Sequence, residues 1–164
     1  MQPNNARSLT SGRAEASQDY LTIALDEDIF ALPVAAVREV LDPPPMTLVP
    51  FAPSHAPGLV NVRGNVMPLL DLRTRFGMEP IGDSDTTRII VTHIDRPGDP
   101  FLVGLRADAV YEVVDIPQGT VRPAPPGSTQ WPAALMHGVI QRGDRYVIIL
   151  NLDEIVAVET ANQH

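Results

Sequence analysis

The chain writes one pattern twice, and that limits what it can become. Residues 58–77 read GLVNVRGNVMPLLDLRTRFG and residues 138–153 read GVIQRGDRYVIILNLD. Gly58 matches Gly138, Arg63-Gly64 matches Arg142-Gly143, and Leu70-Asp71-Leu72 matches Leu150-Asn151-Leu152. Each copy is a short apolar run, an Arg-Gly-Asn or Arg-Gly-Asp turn, and a second apolar run. Upstream of each, AVREVL at 36–41 is echoed by AVYEVV at 109–114. The order is kept and the spacing drifts by a loop's worth of residues. This is the mark of a diverged internal duplication, and it points to two similar lobes.

Composition narrows the function classes. A chain of 164 residues fits one domain or two small lobes, with enough length to bury a core unaided. It has no Cys, which removes disulfides, thiolate chemistry and most structural zinc sites. Aromatic residues are 5%, so the core rests on Val, Ile, Leu and Ala. The net charge of −8 argues against nucleic acid as a partner, because binding a phosphate backbone needs a positive surface. No apolar run approaches a membrane span, so no membrane insertion is expected. Arg7 and Arg13 are not followed by an apolar segment of the secretory kind. The reading is a soluble cytoplasmic protein.

Along the chain, residues 1–18 are polar and aperiodic and read as a disordered tail. Strands are expected at 20–25 and 29–32, around the acidic turn 26–28. Residues 34–41 fit two turns of helix, since Pro33 suits a helix start and Val34, Val37 and Leu41 share a face. Prolines 43–45 end it, and 46–51 is an extended edge segment. Residues 59–62 and 66–70 form a hairpin across Arg63-Gly64-Asn65. Asp71 caps a short helix over 72–76 that stops at Gly77. Strands follow at 88–94, 101–105 and 110–116, then a Pro- and Gly-rich loop over 117–132. A second hairpin joins 139–142 to 146–150, and a short helix covers 153–158. The sum is mainly β, with many short strands and tight turns. The lobes are expected at about 19–80 and 87–158, and the first strand can cross over to the other one.

No catalytic constellation is visible. The four histidines, His55, His93, His137 and His164, lie at no metal-ligand spacing. No nucleophile elbow, phosphate loop or dinucleotide fingerprint occurs. The expectation is a non-enzyme with no cofactor and no metal. The alternative is a β-barrel carrier or enzyme with a small-molecule pocket, which needs polar groups converging inside a barrel.

Several segments carry a family resemblance. GLVNVRG at 58–64, PLLDLR at 68–73 and Phe76-Gly77 resemble the signature of CheW-like chemotaxis coupling proteins. So do VREV at 37–40, VRPAP at 121–125 and the late Gly143-Asp144-Arg145 turn. The resemblance runs from about residue 20 to 158, within a domain bounded at 19–160. It implies two five-stranded SH3-like β-barrels packed together. It also implies an adaptor between the cytoplasmic tip of a chemoreceptor and the regulatory domain of a histidine kinase, gathered at receptor clusters on the inner membrane. By the same resemblance Val37, Glu39, Gly58, Asn61, Arg63 and Val113 fall at the receptor groove. Taken alone, Arg63 reads as a turn arginine and Glu39 as an ordinary surface carboxylate. Val37 and Val113 read as core, and Asp71 as a helix cap.

Overall fold

The computed structural model describes residues 16–127 and 130–161. Most of the expected tail, residues 1–15, lies outside them, and Ser17 and Gln18 already belong to a strand. The strands are β1 (Ser17–Leu25), β2 (Asp28–Pro33), β3 (Val37–Leu41), β4 (Met46–Leu48), β5 (Gly58–Val62) and β6 (Asn65–Asp71). After the helix α1 (Leu72–Arg75) come β7 (Arg88–Ile94), β8 (Phe101–Ala107), β9 (Ala109–Pro117), β10 (Met136–Arg142) and β11 (Arg145–Leu150). The helix α2 (Leu152–Ala161) closes the described chain.

The strands form two sheets. The first lobe has the order β3-β7-β8-β6-β5-β4 and the second β10-β11-β2-β1-β9. Two five-stranded barrels were expected. The second lobe has five strands, but the first has six, and both hydrogen-bond orders are open at their ends. The sixth strand is β4, three residues long, at the edge of its sheet. Prolines crowd both of its flanks and supply no N–H to extend the ladder.

The lobes repeat each other strand for strand, but not half for half. β6 runs parallel to β8, and β11 runs parallel to β2; the other pairings are antiparallel. Read outward from those parallel pairs, β7 matches β1, β3 matches β9, and β5 matches β10. The isolated Arg122–Val139 bridge stands where β4 does. The hairpin β1–β2 therefore sits in the sheet built by the second half, while β7–β8 sits in the sheet built by the first. The lobes as read from the sequence, 19–80 and 87–158, are corrected by this reciprocal exchange.

The core follows from it. β1, β7 and β11 are apolar on both faces, as strands buried on both sides must be. One face of each lines a small core within its own lobe: Val60, Met67, Leu69 and Ile89 in the first, Ala31, Ile116, Val147 and Ile149 in the second. The other faces meet in a larger shared core that includes Ile23, Phe30, Leu70, Ile90, Leu105 and Ile148. Phe30, Phe76 and Trp131 pack mutually there, with ring centroids 5.1 to 6.2 Å apart.

One expected element is absent. Of residues 34–41 only Val34–Ala36 turns, as a single 3-10 turn, and the rest is β3. A two-turn helix is marginal on its own. β-branched Val37 and Val40 suit a strand, and β7 offers a ladder in which Glu39 faces Val91. Locally determined features appear as expected. Asp71 Oδ1 accepts from the Arg73 backbone N–H at 3.1 Å at the start of α1, and Gly77 leaves the helix at φ +83°.

A partly buried charge cluster ties the lobes at their crossing point. Arg73 of α1, with its side chain 5% exposed, donates from Nη1 to Asp26 Oδ1 and to Asp108 Oδ2, each at 2.6 Å. Its Nε donates to the Glu79 carbonyl at 2.7 Å. Asp26 forms the β1–β2 turn, and Asp108 is the residue between β8 and β9 where the chain passes from one lobe to the other.

Candidate functional site

The expected site begins with the hairpin β5–β6. Its two-residue turn, Arg63-Gly64, has φ +53° and +85°. Two positive φ values give the turn a twist that matches the flanking strands. Asn61 Oδ1 accepts from the Gly64 N–H at 3.0 Å and fixes the tip. Gly64 meets the requirement freely, whereas Arg63 is a non-glycine residue in the left-handed region. Its side chain, 78% exposed, reaches across to β3, where its Nε donates to Glu39 Oε1 at 2.9 Å and Oε2 at 3.0 Å.

This contact spans the sheet. β3 and β5 stand near opposite ends of the strand order, so the sheet curls until the hairpin tip meets the far edge strand. The hydrogen bond from Arg63 holds the Glu39 carboxyl below its ordinary range, against a smaller opposing effect of desolvation. Among the described residues only Nε of Arg63 is engaged. Among the described residues both terminal nitrogens of the guanidinium lack a partner, which leaves donors facing solvent.

The remaining expected residues are placed less uniformly. Val37 starts β3, half-buried against the shared core, two residues before Glu39. Asn61 is exposed beside the tip. Gly58 is buried, and an added Cβ would lie 2.2 Å from the Thr47 carbonyl oxygen. It therefore seats β4 against β5. Val113 lies in the other lobe, on the edge strand β9 opposite Leu21, and is 55% exposed. The structure thus joins Glu39, Asn61 and Arg63 through one hairpin tip, adds Val37 along β3, uses Gly58 beneath, and sets Val113 apart.

Other exposed apolar side chains escaped the sequence reading. Val66, 63% exposed, is the cross-strand neighbour of Asn61. Tyr111, 59% exposed, stands two residues before Val113. Phe51 is fully exposed at φ +63° in the loop after β4. A signal for Phe51 was present, since residues 43–54 carry no charge in a chain that is otherwise strongly acidic.

Comparison with known proteins gives a consistent result. Residues 19–160 match the CheW-like domain. A chemotaxis protein CheW of Helicobacter pylori is 30% identical over 84% of this chain and 80% of its own length. A chemotaxis protein CheW of Rhizobium meliloti is 27% identical over 95% of this chain and 96% of its own. The crystal structure of scaffolding protein TtCheW from Thermoanaerobacter tengcongensis superposes with a TM-score of 0.73 at 32% identity, covering 84% of this chain and 86% of that one.

Proposed function

The chain belongs to the CheW-like family, and from that premise we propose that it clasps the cytoplasmic tip of a chemoreceptor through Glu39 and Arg63 while its other surfaces hold the regulatory domain of a histidine kinase. It is a scaffold of chemotaxis-type signal transduction, built of two SH3-like lobes. The work asked of such a scaffold is mechanical. It needs two binding faces on one stiff body, so that a displacement of one partner reaches the other.

The observation that carries the receptor assignment is the half-used guanidinium of Arg63. A side chain with one donor on Glu39 and the rest turned outward is held in place yet still able to bind. A planar array of N–H donors suits helix-end carbonyls or carboxylates on a partner. Val37 on β3 and Val66 beside Asn61 supply apolar contact on either side of it. An amphipathic helical hairpin fits such a surface, with its apolar stripe on the valines and its polar groups on Arg63. Val113 joins this surface only if the receptor tip is broad enough to reach the second lobe. No catalytic step is assigned to any residue. No helix of the described residues is long and apolar enough to cross a membrane, and in this reading the chain meets the membrane only through its receptor.

The test is a titration of Arg63→Ala against a receptor cytoplasmic fragment and, separately, against the kinase regulatory domain. Loss of an interface anchor should weaken receptor binding about tenfold or more. The melting temperature should barely move, because an exposed ion pair contributes little to folding. Kinase binding should persist. Unchanged receptor affinity would remove Arg63 from the interface. A large fall in melting temperature would make it a structural seam residue instead.

A further inference from the structure

The symmetry between the lobes sets a clamp on one side against a cavity on the other. In the clamp, the second residue of α1, Arg73, meets the first residue after β1, Asp26, and the residue just before β9, Asp108. The counterparts follow from the matched elements. The second residue of α2 is Asp153, the first residue after β7 is Asp95, and the residue just before β3 is Ala36. The repeat thus replaces the cation with a carboxylate and one of its two carboxylates with a methyl group.

These three counterparts line one cavity of about 370 Å3, together with Tyr20, His93 and His137. Tyr20 is 2% exposed, packed in the core of the second lobe. Among the described residues its hydroxyl has no hydrogen-bond partner, and the carboxylates of Asp95 and Asp153 have neither a hydrogen bond nor an ion pair. The hydroxyl is the part of Tyr20 that reaches the cavity surface, where a ligand can meet it. Asp95 and Asp153 are exposed at the edge of this recess, and two carboxylates there attract a cation that neither meets among the described residues. The volume lies at the small end of the range for ligand sites.

We propose that this cavity is a receiving site for a guanidinium group, which takes from outside the position that Arg73 fills from within on the opposite side. The planar cation offers donors to Asp95 and Asp153 at once and to the Tyr20 hydroxyl, and Ile94 and Leu150 flank its apolar stem. The group comes either from a small free cation or from an arginine on a protein partner. The site shares no residue with the receptor assignment, although Ala36 adjoins Val37, and does not depend on it.

The experiment is an amide-resonance NMR titration of the whole chain with two ligands, agmatine and the peptide acetyl-Gly-Arg-Gly-amide, each against sodium chloride at matched ionic strength. Saturable shifts are expected at Tyr20, His93, Asp95 and Asp153, absent in the salt control. Asp153→Asn should weaken agmatine binding by about tenfold, the scale of one charge-assisted contact. Asp153→Arg should set a cation beside Asp95 and abolish the agmatine shifts. A response to both ligands identifies a side chain of a partner as the occupant, and a response to agmatine alone identifies a free small cation; either supports the site. No saturable response to either ligand, or shifts that survive Asp153→Arg, would overturn it.

Discussion

Arg63 projects its guanidinium from a backbone conformation that most side chains avoid, and Glu39 records the consequence. The hydrogen bond from Arg63 favours the ionised carboxylate, so the folded protein holds Glu39 below the ordinary carboxyl value. The sign follows directly. The contribution of this pair is present above the unfolded carboxyl pKa and is lost as pH falls through the lower folded one. NMR titration of the Glu39 side-chain carbon should give a midpoint below that of a free glutamate, and Arg63→Ala should return it to the ordinary range. An unchanged midpoint in the variant would mean that the contact is not populated in solution. Gly58 makes a second point at this scale. Its Cβ would meet backbone, which cannot rotate away, so Gly58→Ala must lift β4 from β5. Such overpacking should cost about 1–3 kcal/mol in urea unfolding. A neutral result would show β4 to be detachable. Sequence alone gave Arg63 and Asn61 their hairpin, because turn chemistry is local. It could not give the reach of Arg63 to Glu39, which requires a curled sheet.

At the scale of elements, the helix α1 owes its importance to one side chain. Asp71 caps it, Gly77 ends it, and it is only four residues long, yet it carries Arg73 into the crossing between lobes. Arg73→Met leaves Asp108, largely buried, facing a half-exposed Asp26 with no cation between them. Removing one partner of a buried ion pair costs about 3 kcal/mol or more, so the melting temperature should drop sharply. A drop no larger than that of a surface substitution would show that water replaces the guanidinium. The loop before β5 adds a pH dependence. Burial, with Arg75 adding to it, lowers the His55 pKa from its usual value of 6.5. The unfolded chain then takes up the proton more readily, so stability is complete above that value and declines as pH falls through it. His55→Gln should flatten this decline in melting curves collected across pH. The segment 34–41 shows why its element type was hard to read. Three apolar residues at helical spacing fit one face of a helix, and the same stretch fits an edge strand once β7 is beside it. The choice is made by a partner distant in sequence.

For the molecule as a whole, the duplication was legible and its assembly was not. Repeated motifs reveal that two similar units exist, but no local pattern says which hairpin completes which sheet. The exchange of β1–β2 for β7–β8 makes each lobe depend on strands from the opposite half, and the shared core takes residues from both. Unfolding should therefore be a single transition. Fluorescence of Trp131, the only tryptophan, reports on the aromatic packing between lobes, while far-ultraviolet circular dichroism reports on all the strands. The two curves in urea should coincide, and separated midpoints would mean that a lobe survives alone. The exchange also has a bearing on synthesis. β1 and β2 leave the ribosome before the strands they pair with, since Ile29 pairs with Val147 and Tyr20 with Val114, both far later in the sequence. At several residues per second the first hairpin waits seconds, with Ile23, Leu25, Phe30 and Leu32 uncovered, while the strands that will cover it are still being made. All strands of the first sheet have emerged by β8, but the shared core that covers it stays incomplete until β10, β11 and α2 arrive. The nascent chain thus passes through a stage with one half-covered sheet and one sticky hairpin, and during that stage the protein most needs a chaperone.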